Sequence, residues 1–168
     1  MGKLQKNLTD IAVALADHLA KSEKLQTFCQ ERYGKSPLIA VGDATEAFAP
    51  TVEDAPYIFF YGLWKDEGIG KKSCSYNCNL SIGIADDNRE AFETEQGVKV
   101  FSGSKEVADF AIVIQKELDA YRDGARPMDE TKVIQLGALD SAGQHWVTDM
   151  ECKWTMEQTL STSYEEEF

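Results

Sequence analysis

Only two of the 168 residues are histidine, His18 and His145. That scarcity removes most proton-shuttle and metal-site chemistries from consideration. The four cysteines, Cys29, Cys74, Cys78 and Cys152, show no zinc-finger spacing. On a strand, Cys74 and Cys78 would stand about 13 Å apart at roughly 3.3 Å per residue. A disulfide needs Cα atoms within about 7 Å, so those two cannot bridge or share a metal. Cys152 can meet one of them only across strands. With no secretion signal, all four read as reduced thiols packed as small apolar residues. Basic residues are also few: 17 Lys and Arg stand against 29 Asp and Glu, for a net charge of −12. No Lys/Arg cluster is present, so a duplex-binding surface is not expected. No apolar run reaches the roughly 18–20 residues of a membrane-spanning helix. The first ten residues lack a signal-peptide core, and Lys6 stands where a myristoylation signal wants Ser or Thr.

What is present is periodicity. From Ser73 to Ile84 every second residue is apolar or aromatic: Cys74, Tyr76, Cys78, Leu80, Ile82, Ile84. Period 2 is the signature of a strand with one buried face. A second such run begins at Trp146, with Thr148, Met150, Cys152, Trp154 and Met156 on one face. Val147, Asp149, Glu151, Lys153, Thr155 and Glu157 take the other. Both runs are about twice the usual strand of roughly 5–6 residues.

Leu4, Leu8, Ile11, Leu15 and Leu19 recur at helical steps. Leu25, Phe28 and Cys29 continue that spacing to a stop at Gly34, with a bend and new start at Ser22-Glu23. Pro37 opens a short strand, Leu38 to Val41, and Ala44 to Pro56 reads as a loop. Tyr57 to Trp64 is a continuous apolar and aromatic run, expected to be a strand covered on both faces. Lys65 to Lys72 suits a hairpin tip. The acidic stretch Asp86 to Ser102 reads as an excursion or mobile loop, with a small strand at Val98, Val100 and Phe101. Ser104 is the expected cap of a helix whose stripe is Val107, Phe110, Ala111, Ile114, Leu118 and Tyr121, ending at Gly124. Lys132 to Leu139 and Trp146 to Leu160 form a closing hairpin around Asp140 to Gln144.

These elements predict an α+β fold: a mainly antiparallel sheet with long hairpin strands packed against two main helices. Residues 1–160 form a single domain, and 161–168 an acidic tail.

Few residues invite a chemical role. His18 lies beside Leu15 and Leu19 and reads as a helix-boundary residue. His145 sits on the strand face opposite Cys152, so the two cannot form a catalytic pair there. Gly68-Ile-Gly-Lys71-Lys72 lacks the spacing of a phosphate loop and opens no helix. Asp86, Asp87 and Glu90 lack the ligand pattern of a calcium loop. No catalytic residue, cofactor site or metal site is therefore assigned. Trp64, Trp146 and Trp154 are usable interface anchors. Trp146, beside a turn, is expected to be the most exposed.

Three segments in order carry a resemblance. Ala55-Pro-Tyr-Ile-Phe-Phe-Tyr61 leads through a charged hairpin tip into a long alternating strand. The helix Val107 to Tyr121 follows a variable loop. The turn Asp140-Ser-Ala-Gly-Gln-His-Trp146 feeds a long final strand. Together they resemble a phage tail terminator, or tail completion, protein. The resemblance implies a non-enzymatic virion protein that assembles as a ring, usually a hexamer. Such a ring ends tail-tube polymerisation and offers a surface to the head–tail connector. The implied partners are copies of itself, the tail tube protein and the connector, with no membrane or sequence-specific nucleic acid. The implied location is the virion tail, with host cytoplasm during assembly. Lys71, Lys72, Trp64 and Trp146 are the interface candidates. A neck or head–tail joining protein is the first alternative. A small-molecule-binding or enzymatic α+β domain is the second.

Overall fold

The chain builds one five-stranded sheet with helices on one face. The computed structural model describes residues 7–42, 50–66, 73–85, 91–123, 126–127, 130–139 and 145–157. Helix α1, Leu8–Ala20, opens with a capping box. The Asp10 N–H donates to Asn7 Oδ1 at 2.8 Å, and the Asn7 N–H donates to Asp10 Oδ2 at 3.4 Å. This arrangement satisfies two of the free amides of a helix start. Ile11, Ala12, Leu15, Ala16 and Leu19 form its buried stripe. Leu4 lies outside the described residues. Helix α2, Glu23–Tyr33, starts from the Ser22 cap and ends at Gly34, whose φ of 71° is left-handed. Both the bend and the stop follow the sequence pattern.

Strands β1 (Leu38–Val41), β2 (Tyr57–Asp66) and β3 (Ser73–Ile84) come next. A small hairpin, β4 (Ala91–Glu93) with β5 (Lys99–Phe101), precedes helix α3 (Ser102–Asp119). A two-residue ladder, β6 (Arg122–Asp123) with β7 (Arg126–Pro127), leads to β8 (Glu130–Leu139) and β9 (Trp146–Glu157). The main sheet has the order β1-β2-β3-β9-β8, with β1 parallel to β2 and every other pairing antiparallel. The α+β class and the mainly antiparallel sheet are as expected, with three α-helices among the described residues where two main ones were predicted. The closing strand is not at an edge. It lies between β3 and β8, in register with β3 from Ser73↔Glu157 to Ile84↔Trp146.

The core lies between this sheet and the helices. Ile58, Phe60, Leu80, Ile82, Met150 and Trp154 meet Leu15, Leu19, Leu25, Val107, Phe110, Ile114 and Leu118. Phe110 stacks on Phe28 with ring centres 5.9 Å apart. All four cysteines are buried and unbridged, as expected of packed thiols. Cys78 faces Cys152 across the β3–β9 ladder. Burial pushes the Cys29 thiol up to about 12. The hydrogen bond with Cys78, then burial, raises the Cys152 thiol well above its ordinary value.

Helix α3 departs from the expectation at both ends. It begins at Ser102, before Ser104, and no side chain caps it. The reason is tertiary: Gly103 is buried against the Trp146 indole, which a methyl group there would overlap. This contact seats the first turn on β9. The helix ends at Asp119, ahead of Gly124, which lies outside the described residues. Tyr121 therefore follows the helix, although it stays buried. It sits edge-on to Trp154 at 5.8 Å and to His18 at 5.3 Å.

Candidate assembly surface

Among the described residues, the opposite face of the sheet carries no α-helix. On β2 it presents Tyr57, Phe59 and Tyr61, a second apolar cluster separate from the core. Tyr57 and Phe59 are buried, so the first half of β2 is covered on both faces as expected, whereas from Tyr61 to Trp64 the strand is half-buried or exposed, against the expectation for the whole run. The Tyr57 ring lies over Gly83, where any side chain would collide with it. The Tyr57 hydroxyl and His145 Nε2 are 3.1 Å apart. His145 is thus on the face opposite Cys152, as its strand position requires. His18, as a boundary residue, donates from Nε2 to the Glu117 carbonyl at 2.6 Å.

Phe59 stacks on Tyr61 at 6.1 Å, and the Tyr61 hydroxyl donates to Asp149 Oδ1 at 3.4 Å. Burial raises both the Asp149 carboxyl and the Tyr61 phenol above their ordinary values. Past Tyr61 the ladder slips. Tyr61 pairs with Asn79 and Trp64 with Asn77, so β2 spends one residue more than β3. This is a β-bulge at Gly62, whose φ is 57°. One extra residue exchanges the two faces for everything beyond it. The bulge turns Trp64 to the helix-free face, where it is 49% exposed. On the core face Lys65 lies over the Tyr76 ring at 5.5 Å.

The register aligns Trp64, Asn77 and Lys153 across three strands. Asn77 is 4% exposed, and its Nδ2 has no hydrogen-bond partner among the described residues. Lys153 is exposed. The other end of the β3–β9 ladder carries the β4–β5 hairpin, which begins seven residues after Ile84 and runs directly into α3. All residues from 91 to 99 are exposed. Phe92, Val98 and Phe101 are its exposed large apolar residues, at 48%, 57% and 50% exposure. The acidic excursion is therefore an ordered hairpin from Ala91 to Phe101, wider than the small strand expected at Val98 to Phe101.

Of the interface candidates, Trp64 is exposed and Trp146 is not. Trp146 is 7% exposed because it faces the core, opposite Ile84 and against Gly103. The expectation that it would be the most exposed tryptophan is corrected: that residue is Trp64. Trp154 is also buried. Lys71 and Lys72 lie outside the described residues, as do Asp86, Asp87 and Glu90. Among the described residues, no group of three or more His, Cys, Asp and Glu side chains is placed to hold a metal ion. No described helix is long and apolar enough to cross a membrane. A surface cavity of about 460 Å³ is lined by Arg32, Tyr33, Lys35, Val52, Glu53, Ala55, Pro56 and Ala85. Its Arg32 is committed to Glu106 at 2.8 Å and lies over the Phe28 ring.

The sequence reading missed Phe92 and Asn77. The signal for Phe92 was an apolar residue isolated among glutamates. Asn77 gave none, because a polar residue on the outer phase of a strand is ordinary. Compared with known proteins, the chain matches no family model and no curated protein.

Proposed function

We propose that this protein is a structural virion assembly protein, a tail terminator. It caps the phage tail tube as a ring, ends tube growth and offers the head-joining surface. The observation that carries this reading is the β3–β9 pair. Both strands are 12 residues long and pair without a register break, about twice the usual length. Helices cover one face of that beam, and the adjoining strand β2 presents the exposed Trp64 on the other face. Such a platform supplies rigid surface for subunit contacts. The role needs binding alone: a closed ring replaces the growing interface of the tube with one that cannot propagate. The resemblance in segment order supplies the position in the tail.

The test adds purified protein to tubes polymerised from a phage tail tube protein. Negative-stain electron microscopy then reads tube ends and lengths. Rings at tube ends, with arrest of elongation at stoichiometric protein, are expected. Continued elongation with bare ends, at every salt concentration tried, would reject the reading.

A further inference from the structure

Two exposed patches of different chemistry lie at opposite ends of one rigid ladder. Trp64 and Lys153 are exposed at one end, on either side of the buried Asn77, and the β4–β5 hairpin marks the other. Asn77 and Ile84 are roughly 23 Å apart along β3 at about 3.3 Å per residue. The hairpin has ladders of three residues, too short to be stable alone, and exposes Phe92 and Val98 to water. The far patch offers an exposed indole in Trp64 and an exposed cation in Lys153. The hairpin in turn carries carboxylates at Glu93 and Glu95 against one lysine, Lys99, aligned with Glu93, so it is net acidic and complements Lys153.

We infer that the hairpin of one copy docks on the Trp64 patch of a second copy. The inference rests on the ring reading above and names the contact that would close the ring. Because the two patches differ and lie on separate ends of one molecule, the contact is head-to-tail. Such contacts propagate until they close. Phe92 packs on Trp64, and a hairpin carboxylate pairs with Lys153.

Two variants test it by sedimentation velocity, with circular dichroism to verify the fold. One is Phe92→Ser with Val98→Ser, which spoils only the hairpin. The other is Trp64→Ser, which spoils only the patch. Each alone is expected to weaken self-association by at least about 30-fold, the loss typical of an interface anchor. Mixed together, they are expected to stop at a one-to-one heterodimer, because one good contact remains and neither free end can add a subunit. A charge exchange gives an independent arm that leaves apolar surface intact. Lys153→Glu and the double variant Glu93→Lys, Glu95→Lys should each assemble poorly alone, and should assemble beyond dimers when mixed. Variants that assemble as the wild type does, or mixtures that form no heterodimer, would overturn the docking contact. So would wild-type protein that stays monomeric at the highest concentrations. Capping of tubes by the wild type is read separately, so the contact can fail while the tail assignment stands.

Discussion

At the scale of single residues, the helix-free face is set by side chains that are half out of water. Asp149 accepts from Tyr61 while burial disfavours its charge. Its carboxyl is raised from an ordinary value of 3.8 when folded. A raised carboxylate favours the folded state below the unfolded value, where both states hold the proton. That contribution is lost as pH rises through the raised value. Asp149→Asn keeps the acceptor for Tyr61 and removes the charge. We expect the variant to be the more stable protein at neutral pH, by a small amount because the site is partly solvated. The difference should vanish below pH 3.8. Urea midpoints from pH 3 to 8 measure it, and a variant less stable at neutral pH would contradict the stated cause. Gly62 illustrates a different kind of residue effect. Its left-handed backbone permits the bulge, and the bulge decides which way Trp64 points.

At the scale of elements, the helices are held to one another by few polar contacts. Ser22 is the clearest. Its Oγ accepts from the Leu25 N–H at 3.1 Å and donates to Glu117 Oε2 at 2.6 Å, so one hydroxyl caps α2 and ties it to α3. Ser22→Ala removes both interactions at a buried site. A lost cap costs about 1 kcal/mol, and a lost hydrogen bond to a charged partner costs about 1.5–3 kcal/mol. We therefore expect a loss of about 2 kcal/mol or more in denaturant unfolding. Ser22→Asp should restore the cap and still lose stability, because it sets a second carboxylate against Glu117. Much of the element pattern was legible beforehand. The α1–α2 break, the Gly34 stop and the two long strands all follow from apolar period and local chemistry. The start of α3 was not, because its first turn is set by Gly103 against Trp146, residues 43 positions apart in the sequence.

At the scale of the whole molecule, the chain joins a one-sided sheet to a net charge of −12. Like-charged copies repel, so the proposed self-assembly would depend on localised contacts strong enough to overcome that field. The hairpin from Ala91 to Phe101 offers a direct readout, since Glu93 and Glu95 are exposed on it. A glutamate-specific protease is expected to cut there in dilute protein. Cutting should slow several-fold once the protein is assembled or bound to tube ends. Equal cleavage rates in the monomeric and assembled states would mean that the hairpin stays outside every contact.

The sequence by itself determined the class of fold and the phase of its strands. Alternation with period 2 specifies which side chains of β3 and β9 are buried, whatever those strands pair with. Burial of Trp154, Cys152 and Met150 follows that phase. Tertiary structure alone decided that β9 inserts beside β3 in the middle of the sheet. Pairing partners distant in the chain leave no local periodicity, because every long one-sided strand presents the same alternating pattern to any neighbour. The same reason hid Trp146, whose turn-side position said nothing about the helix that would cover it. It hid the outward turn of Trp64 too, since one extra residue at Gly62 reverses the faces without altering the composition of the strand.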